Sequence, residues 1–129
     1  MKYKNLTISS KYLNNKNWNN GEFTNYHNHN ITIYNTDTGK RCSFEFWNSN
    51  ATGEITTESD LIGAFYCFVS DARIGEEDYY DFIHEFGYEE NSGSRKIHKM
   101  CCKSLEQFNR VVDLDISDVL NDLQENYNC

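Results

Sequence analysis

The chain has 129 residues and no proline. It has no apolar run near the ~18 residues of a transmembrane helix. It also has only one basic side chain, Arg73, between residues 54 and 90. The missing apolar run excludes a helical membrane span. The opening residues Met1-Lys2-Tyr3-Lys4-Asn5-Leu6 lack the apolar stretch of a signal peptide, which argues against export. The five cysteines are odd in number and follow no framework spacing, so reduced thiols in a cytoplasmic setting are expected. No proline, combined with many Asn and Lys, points to an AT-rich coding sequence. No glycine-rich phosphate loop, Gly-x-Ser-x-Gly or His-Glu-x-x-His occurs, so the expectation is a binding protein, not an enzyme, with no cofactor.

What is present is charge, unevenly spread. Residues 54 to 90 hold eleven carboxylates and sum to −10, whereas residues 1 to 53 sum to +3 and residues 91 to 112 to +4. The tail sums to −5, which brings the chain to −8. Charge gathered in this way repels nucleic acid and steers the molecule toward basic surfaces. Length and the 15% aromatic content suit a single domain with one core.

Hydrophobic periodicity divides the chain. Residues 1 to 30 form an Asn-rich arm with little pattern. Leu6 and Ile8 suggest a short strand, residues 14 to 21 a loop, and Trp18, Phe23 and Tyr26 are candidate anchors. Residues 31 to 47 predict a β-hairpin: Ile31 and Ile33 alternate with polar neighbours, Asp37-Thr38-Gly39 turns, and Cys42, Phe44 and Phe46 share a face. Residues 57 to 127 form the helical part. Thr57 caps a helix carrying Leu61, Ile62, Phe65, Phe68, Val69 and Ala72, with Cys67 beside that stripe. A second starts near Gly75 with Glu76, Glu77 and Asp78 in its first turn, carries Tyr79, Phe82, Ile83 and Phe86, and stops at Gly87. A third starts near Ser94 with Ile97, Met100, Cys101, Leu105, Phe108 and Val112 facing inward. A fourth is capped by Asp115 and carries Ile116, Val119, Leu120, Leu123 and Tyr127. Strands followed by helices predict an α+β fold, a small antiparallel sheet packed against about four C-terminal helices.

Several segments resemble one family in order and spacing. They are Ser43-Phe44-Glu45-Phe46-Trp47-Asn48-Ser49, Asp60-Leu61-Ile62-Gly63-Ala64-Phe65, Phe68-Val69-Ser70-Asp71-Ala72, Asp81-Phe82-Ile83-His84-Glu85-Phe86-Gly87-Tyr88 and Ser94-Arg95-Lys96. The family comprises small uncharacterised accessory proteins of phages and prophages of low-GC Gram-positive bacteria. The resemblance covers roughly residues 31 to 112 and implies a context, the bacterial host cell, without implying a mechanism.

Four constellations bear on function. Glu76, Glu77, Asp78, Asp81, Glu85, Glu89 and Glu90 are candidate partner-binding residues, either a phosphate-mimicking face for a basic nuclease channel or a solvated surface. Lys96, Lys99, Lys103 and Arg110 share a helix face, for pairing with the second helix, for solvation or for phosphate. His27 and His29 form a conceivable metal half-site, with His84, His98, Cys101 and Cys102 as further donors, but no zinc spacing is present and no metal is expected. The adjacent Cys101 and Cys102 are poorly placed for a disulfide with each other. The expectation is thus an inhibitor of a bacterial defence nuclease, anti-CRISPR in style, whose partner is a host protein and neither nucleic acid nor membrane. The alternatives are an accessory regulator of another host protein and a metal-dependent hydrolase built on His27 and His29.

Overall fold

A computed structural model describes residues 1–13, 17–19, 22–24, 29–46 and 55–127, the segments 17–19 and 22–24 by backbone alone. It contains six strands: β1 (Lys2–Tyr3), β2 (Leu6–Tyr12), β3 (Asn17–Asn19), β4 (Glu22–Thr24), β5 (His29–Asn35) and β6 (Arg41–Phe46). Four helices follow: α1 (Glu58–Ile74), α2 (Tyr79–Phe86), α3 (Ser92–Val111) and α4 (Ile116–Asn126). The fold is α+β, as the order of patterns predicts. Two compact units, residues 1–64 and 65–129, divide the chain within α1.

In the first unit a four-stranded antiparallel sheet runs β1-β2-β5-β6. The predicted hairpin is β5–β6, with Ile33 opposite Cys42 and Ile31 opposite Phe44. Gly39, at φ +77, occupies the left-handed conformation its turn requires. Buried Asn35 anchors that turn, its Oδ1 accepting from the Asp37 and Thr38 amides at 3.0 and 3.2 Å. The N-terminal segment is more ordered than its composition suggests. Leu6 and Ile8 belong to a seven-residue strand that pairs along β5, with Ile8 opposite Ile33. Because opposed residues share a sheet face, Leu6, Ile8, Ile31, Ile33 and Cys42 form one buried layer. Part of the expected loop is also strand, since β3 pairs with β4, placing Trp18 opposite Phe23. The side chains of Trp18 and Phe23, and Tyr26 and Trp47 entirely, lie outside the described residues.

The helix caps follow local chemistry. On the preceding turn of α1, Thr57 Oγ1 accepts from the Asp60 amide at 3.1 Å, and the Asp60 carboxylate reaches back to the Thr56 amide at 3.3 Å. Asp115 caps α4 through the Asp118 amide at 3.0 Å. Two boundaries move. Helix α2 begins at Tyr79 with Asp78 as its cap, so Glu76 and Glu77 lie in the turn before it. Helix α3 begins two residues before Ser94, at Ser92, capped by Asn91, and Ser94 closes a reciprocal capping box.

Several assignments on or beside the apolar stripes are corrected. Cys67 is exposed, because it lies about 200° around α1 from fully buried Phe65. Ile97 and Met100 are 40% and 56% exposed. The inner side of α3 instead centres on Cys101 and Phe108 and admits Ser94 and half-buried His98, because both polar groups find partners there. Phe86 and Tyr127, at the ends of α2 and α4, are also exposed.

Gly75 meets the α3 backbone directly. A Cβ on it would collide with the Cys101 carbonyl oxygen and lie 2.8 Å from its carbon. Backbone cannot rotate away as a side chain can, so Gly75→Ala is expected to cost about 2–3 kcal/mol. Urea unfolding should show a lower midpoint with an unchanged m-value. A midpoint equal to wild type would mean that the turn does not press on α3.

Candidate functional site

The acidic segment from Glu76 to Glu90 is built around short helix α2, whose apolar side is anchored by Phe82, 2% exposed. The Phe82 ring meets Phe86, Tyr88 and His98 at 5.4, 5.5 and 5.4 Å between centroids. Gly87, at φ +71, ends the helix, and its amide and that of Tyr88 both donate to the Ile83 carbonyl. At the other end, His98 of α3 contacts the Glu77 carbonyl oxygen at 2.7 Å. A carbonyl only accepts, so His98 Nε2 carries the proton. Its ring also meets Tyr79, and Cys102 Sγ lies 3.7–3.8 Å from its nitrogens. Tyr79 Oη, buried Ser94 Oγ and the Glu89 carbonyl form a partly buried chain with 2.6 Å links. These polar contacts hold both flanks of α2 to α3. Sequence reasoning missed Ser94 as an inward residue. The Asn91-x-x-Ser94 spacing at a helix start was the available signal.

The seven candidate acids divide by what they already do. Glu76 lies 3.8 Å from Arg73. Asp78 is spent on the α2 cap, accepting from the Asp81 amide at 2.8 Å. Glu90 pairs with Arg95 at 2.6 Å and accepts from Tyr80 Oη at 3.4 Å. Asp81, Glu85 and Glu89 are exposed. Within the described residues, Asp81 and Glu89 make no ion pair. Glu77 is half-buried, with Oε2 closed off from water and given no donor by the fold. Hydrogen bonding toward Glu85 raises the Glu77 pKa above the usual carboxylate range. Partial burial and the Glu85 and Asp81 charges add to this, while Arg73 opposes it.

That pair links stability to pH. The folded state holds the Glu77 proton more tightly than the unfolded chain does. Its contribution is therefore complete below the ordinary glutamate value of 4.5 and is lost as pH rises through the raised folded value. Glu85→Gln keeps a hydrogen-bond donor and removes one charge. Relative to wild type, the variant should gain thermal stability at pH 7 over pH 4. Equal differences at the two pH values would show that the carboxyls do not interact.

The α3 lysines do not neutralise this surface. Lys96, Lys99, Lys103 and Arg110 are all exposed on the side of α3 opposite Cys101 and Phe108. The three lysines make no ion pair with described residues, so of the expected alternatives solvation holds for them, and Arg95 pairs with Glu90 just beyond α2. Of the thiols, Cys101 is buried, and burial, then Asp71 and Cys102, push its pKa up to about 11. It therefore stays protonated, as a small apolar group. The Asp71 carboxyl is also raised by burial.

The suggested metal half-site takes a different form. His29 is buried, its ring lies 5.3 Å from that of Tyr12, and its Nε2 accepts the Ile55 amide at 2.9 Å. That lone pair is therefore engaged, and His27 lies outside the described residues. Among the described residues no group of three or more His, Cys, Asp or Glu side chains is placed to hold a metal. No described helix is long and apolar enough to cross a membrane. No family model matches the chain, and no curated protein or solved structure matches it significantly.

Proposed function

We propose that the chain acts by binding, presenting the acidic side of α2 to a basic surface of a bacterial host protein. The partner class is a defence nuclease of the CRISPR-effector type, and occupation of its nucleic-acid channel inhibits it. The observation that carries this reading is the set of exposed carboxylates on Asp81, Glu85 and Glu89, beside Glu77, left without neutralisation by the α3 lysines. A cationic channel that binds phosphates offers the complementary charge. The resemblance of residues 31 to 112 to phage accessory proteins supplies the setting.

The test is DNA cleavage by a panel of purified CRISPR effectors with the protein added before the DNA. One effector should lose cleavage, and the loss should weaken as salt rises, since association across exposed charges is screened. Inhibition of none, with capture of a different host protein of defined identity, would replace this reading with that of an accessory regulator.

A further inference from the structure

Beside the acidic groups, α2 carries an open cleft of about 440 Å³ lined by Tyr80, Ile83, His84, Gly87 and Tyr88. These residues recur at i, i+3, i+4, i+7 and i+8, so they form one face of α2 continued through its cap. Tyr80 and Tyr88 are 61% and 46% exposed, although aromatic rings of this size are usually drawn inside. Both are held in place. Tyr80 lies against Tyr79 at 5.4 Å, and its hydroxyl reaches Glu90. Tyr88 is fixed by its amide bond to Ile83 and by stacking on Phe86 at 6.2 Å. The cleft is therefore preorganised.

We propose that this cleft receives an arginine side chain of the basic partner, its guanidinium against the tyrosine rings and its charge answered by the surrounding carboxylates. The inference rests on the binding reading above and names the group recognised. Charge complementarity selects the occupant. Asp81 and Glu85 lie about 60–100° around α2 from His84, and Glu89 follows Tyr88 directly, Glu90 beyond it being already paired with Arg95. No Lys or Arg occurs from residue 74 to 94. An anionic ligand meets repulsion there, and a neutral apolar one must desolvate the carboxylate rim without return. A cation gains from both the π faces and the acids. Arginine fits better than lysine, because its planar group stacks on a ring while its edge binds carboxylate. The same unit already uses this recognition internally. The Arg95 guanidinium lies 4.5 Å over the Tyr79 ring and donates to Glu90 at 2.6 Å.

Fluorescent octa-arginine and octa-lysine peptides, titrated with the full chain at low salt, provide the probe. Wild type should bind octa-arginine more tightly than octa-lysine. Tyr80→Leu/Tyr88→Leu, which keeps the charge, should weaken octa-arginine by about tenfold or more and erase the preference. Its circular dichroism should match wild type and its melting temperature should fall only modestly, because both rings are largely exposed although Tyr88 touches Phe82; if the double variant unfolds, single Tyr80→Leu provides the same comparison. Unchanged octa-arginine binding by the folded variant overturns the cleft and leaves the acidic-surface reading standing. Failure of wild type to bind either peptide overturns both. Self-association of wild type that the tyrosine substitutions abolish would make a second copy the occupant and also overturn the proposal.

Discussion

Asp81→Lys, Glu85→Lys and Glu89→Lys, combined, are expected to abolish partner binding, with affinity falling by on the order of 100-fold or more. Each of these side chains is exposed and makes no contact that caps or closes the fold. The combination adds six units of positive charge beside α2. A cationic partner would then face repulsion where it met attraction, and like charges juxtaposed at an interface cost several kcal/mol. Glu77 is left in place, because its closed Oε2 makes a lysine there a change of packing as well as charge. The fold should survive, as removing two carboxylates near Glu77 relieves the repulsion that raises its pKa. Exposed substitutions usually cost no more than about 0.5 kcal/mol each. Calorimetric titration of wild type and variant into the identified partner, with melting curves alongside, decides the matter. A folded variant that binds and inhibits as wild type does would reduce the acidic surface to a solvated face. Function would then have to be sought on the lysine side of α3 or in the N-terminal strands.

Phe65→Ala is expected to cost about 3–5 kcal/mol, the largest single-residue loss of stability anticipated here. Phe65 is fully buried and falls on the side of α1 that also carries Leu61, Ile62, Phe68, Val69 and Ala72, all buried. Truncation removes a large apolar ring and leaves a cavity that a rigid helix cannot close. The corresponding fall in melting temperature is roughly 10–20 °C for a chain of this size. Met100→Ala makes the control, since Met100 belongs to the predicted α3 stripe yet is 56% exposed. It should change stability by no more than about 0.5 kcal/mol. A Met100 effect as large as that of Phe65 would mean that α3 turns a different side inward.

The candidate site was legible in its parts and opaque in its division of labour. All seven acids were visible as a run, but the run did not reveal that Asp78 caps α2, that Glu90 is held by Arg95, or that Glu85 raises the Glu77 pKa. The aromatic cleft was hidden for a similar reason. The Tyr79–Phe86 stripe marked an inner side for α2, and the outward Tyr80 fell outside it.

By itself the sequence determined whatever depends on near neighbours in the chain. The Thr57 and Asp115 caps, the left-handed Gly39 and Gly87, the buried stripe of α1 and the β5–β6 hairpin all follow from residues within a few positions of one another. The tertiary structure decided what depends on residues distant in sequence. The pairing of β2 with β5 joins residues 17 to 29 positions apart, and no local pattern specifies it. The inward side of α3 was settled by Tyr79, Glu77 and Glu89, which give Ser94 and His98 the partners that make burial of a polar group affordable. Gly75 looked like the start of a helix, yet its missing side chain is required by a backbone met 26 residues later, at Cys101. Hydrophobic periodicity records a preference for burial, and only the assembled neighbours set whether that preference or a buried hydrogen bond prevails.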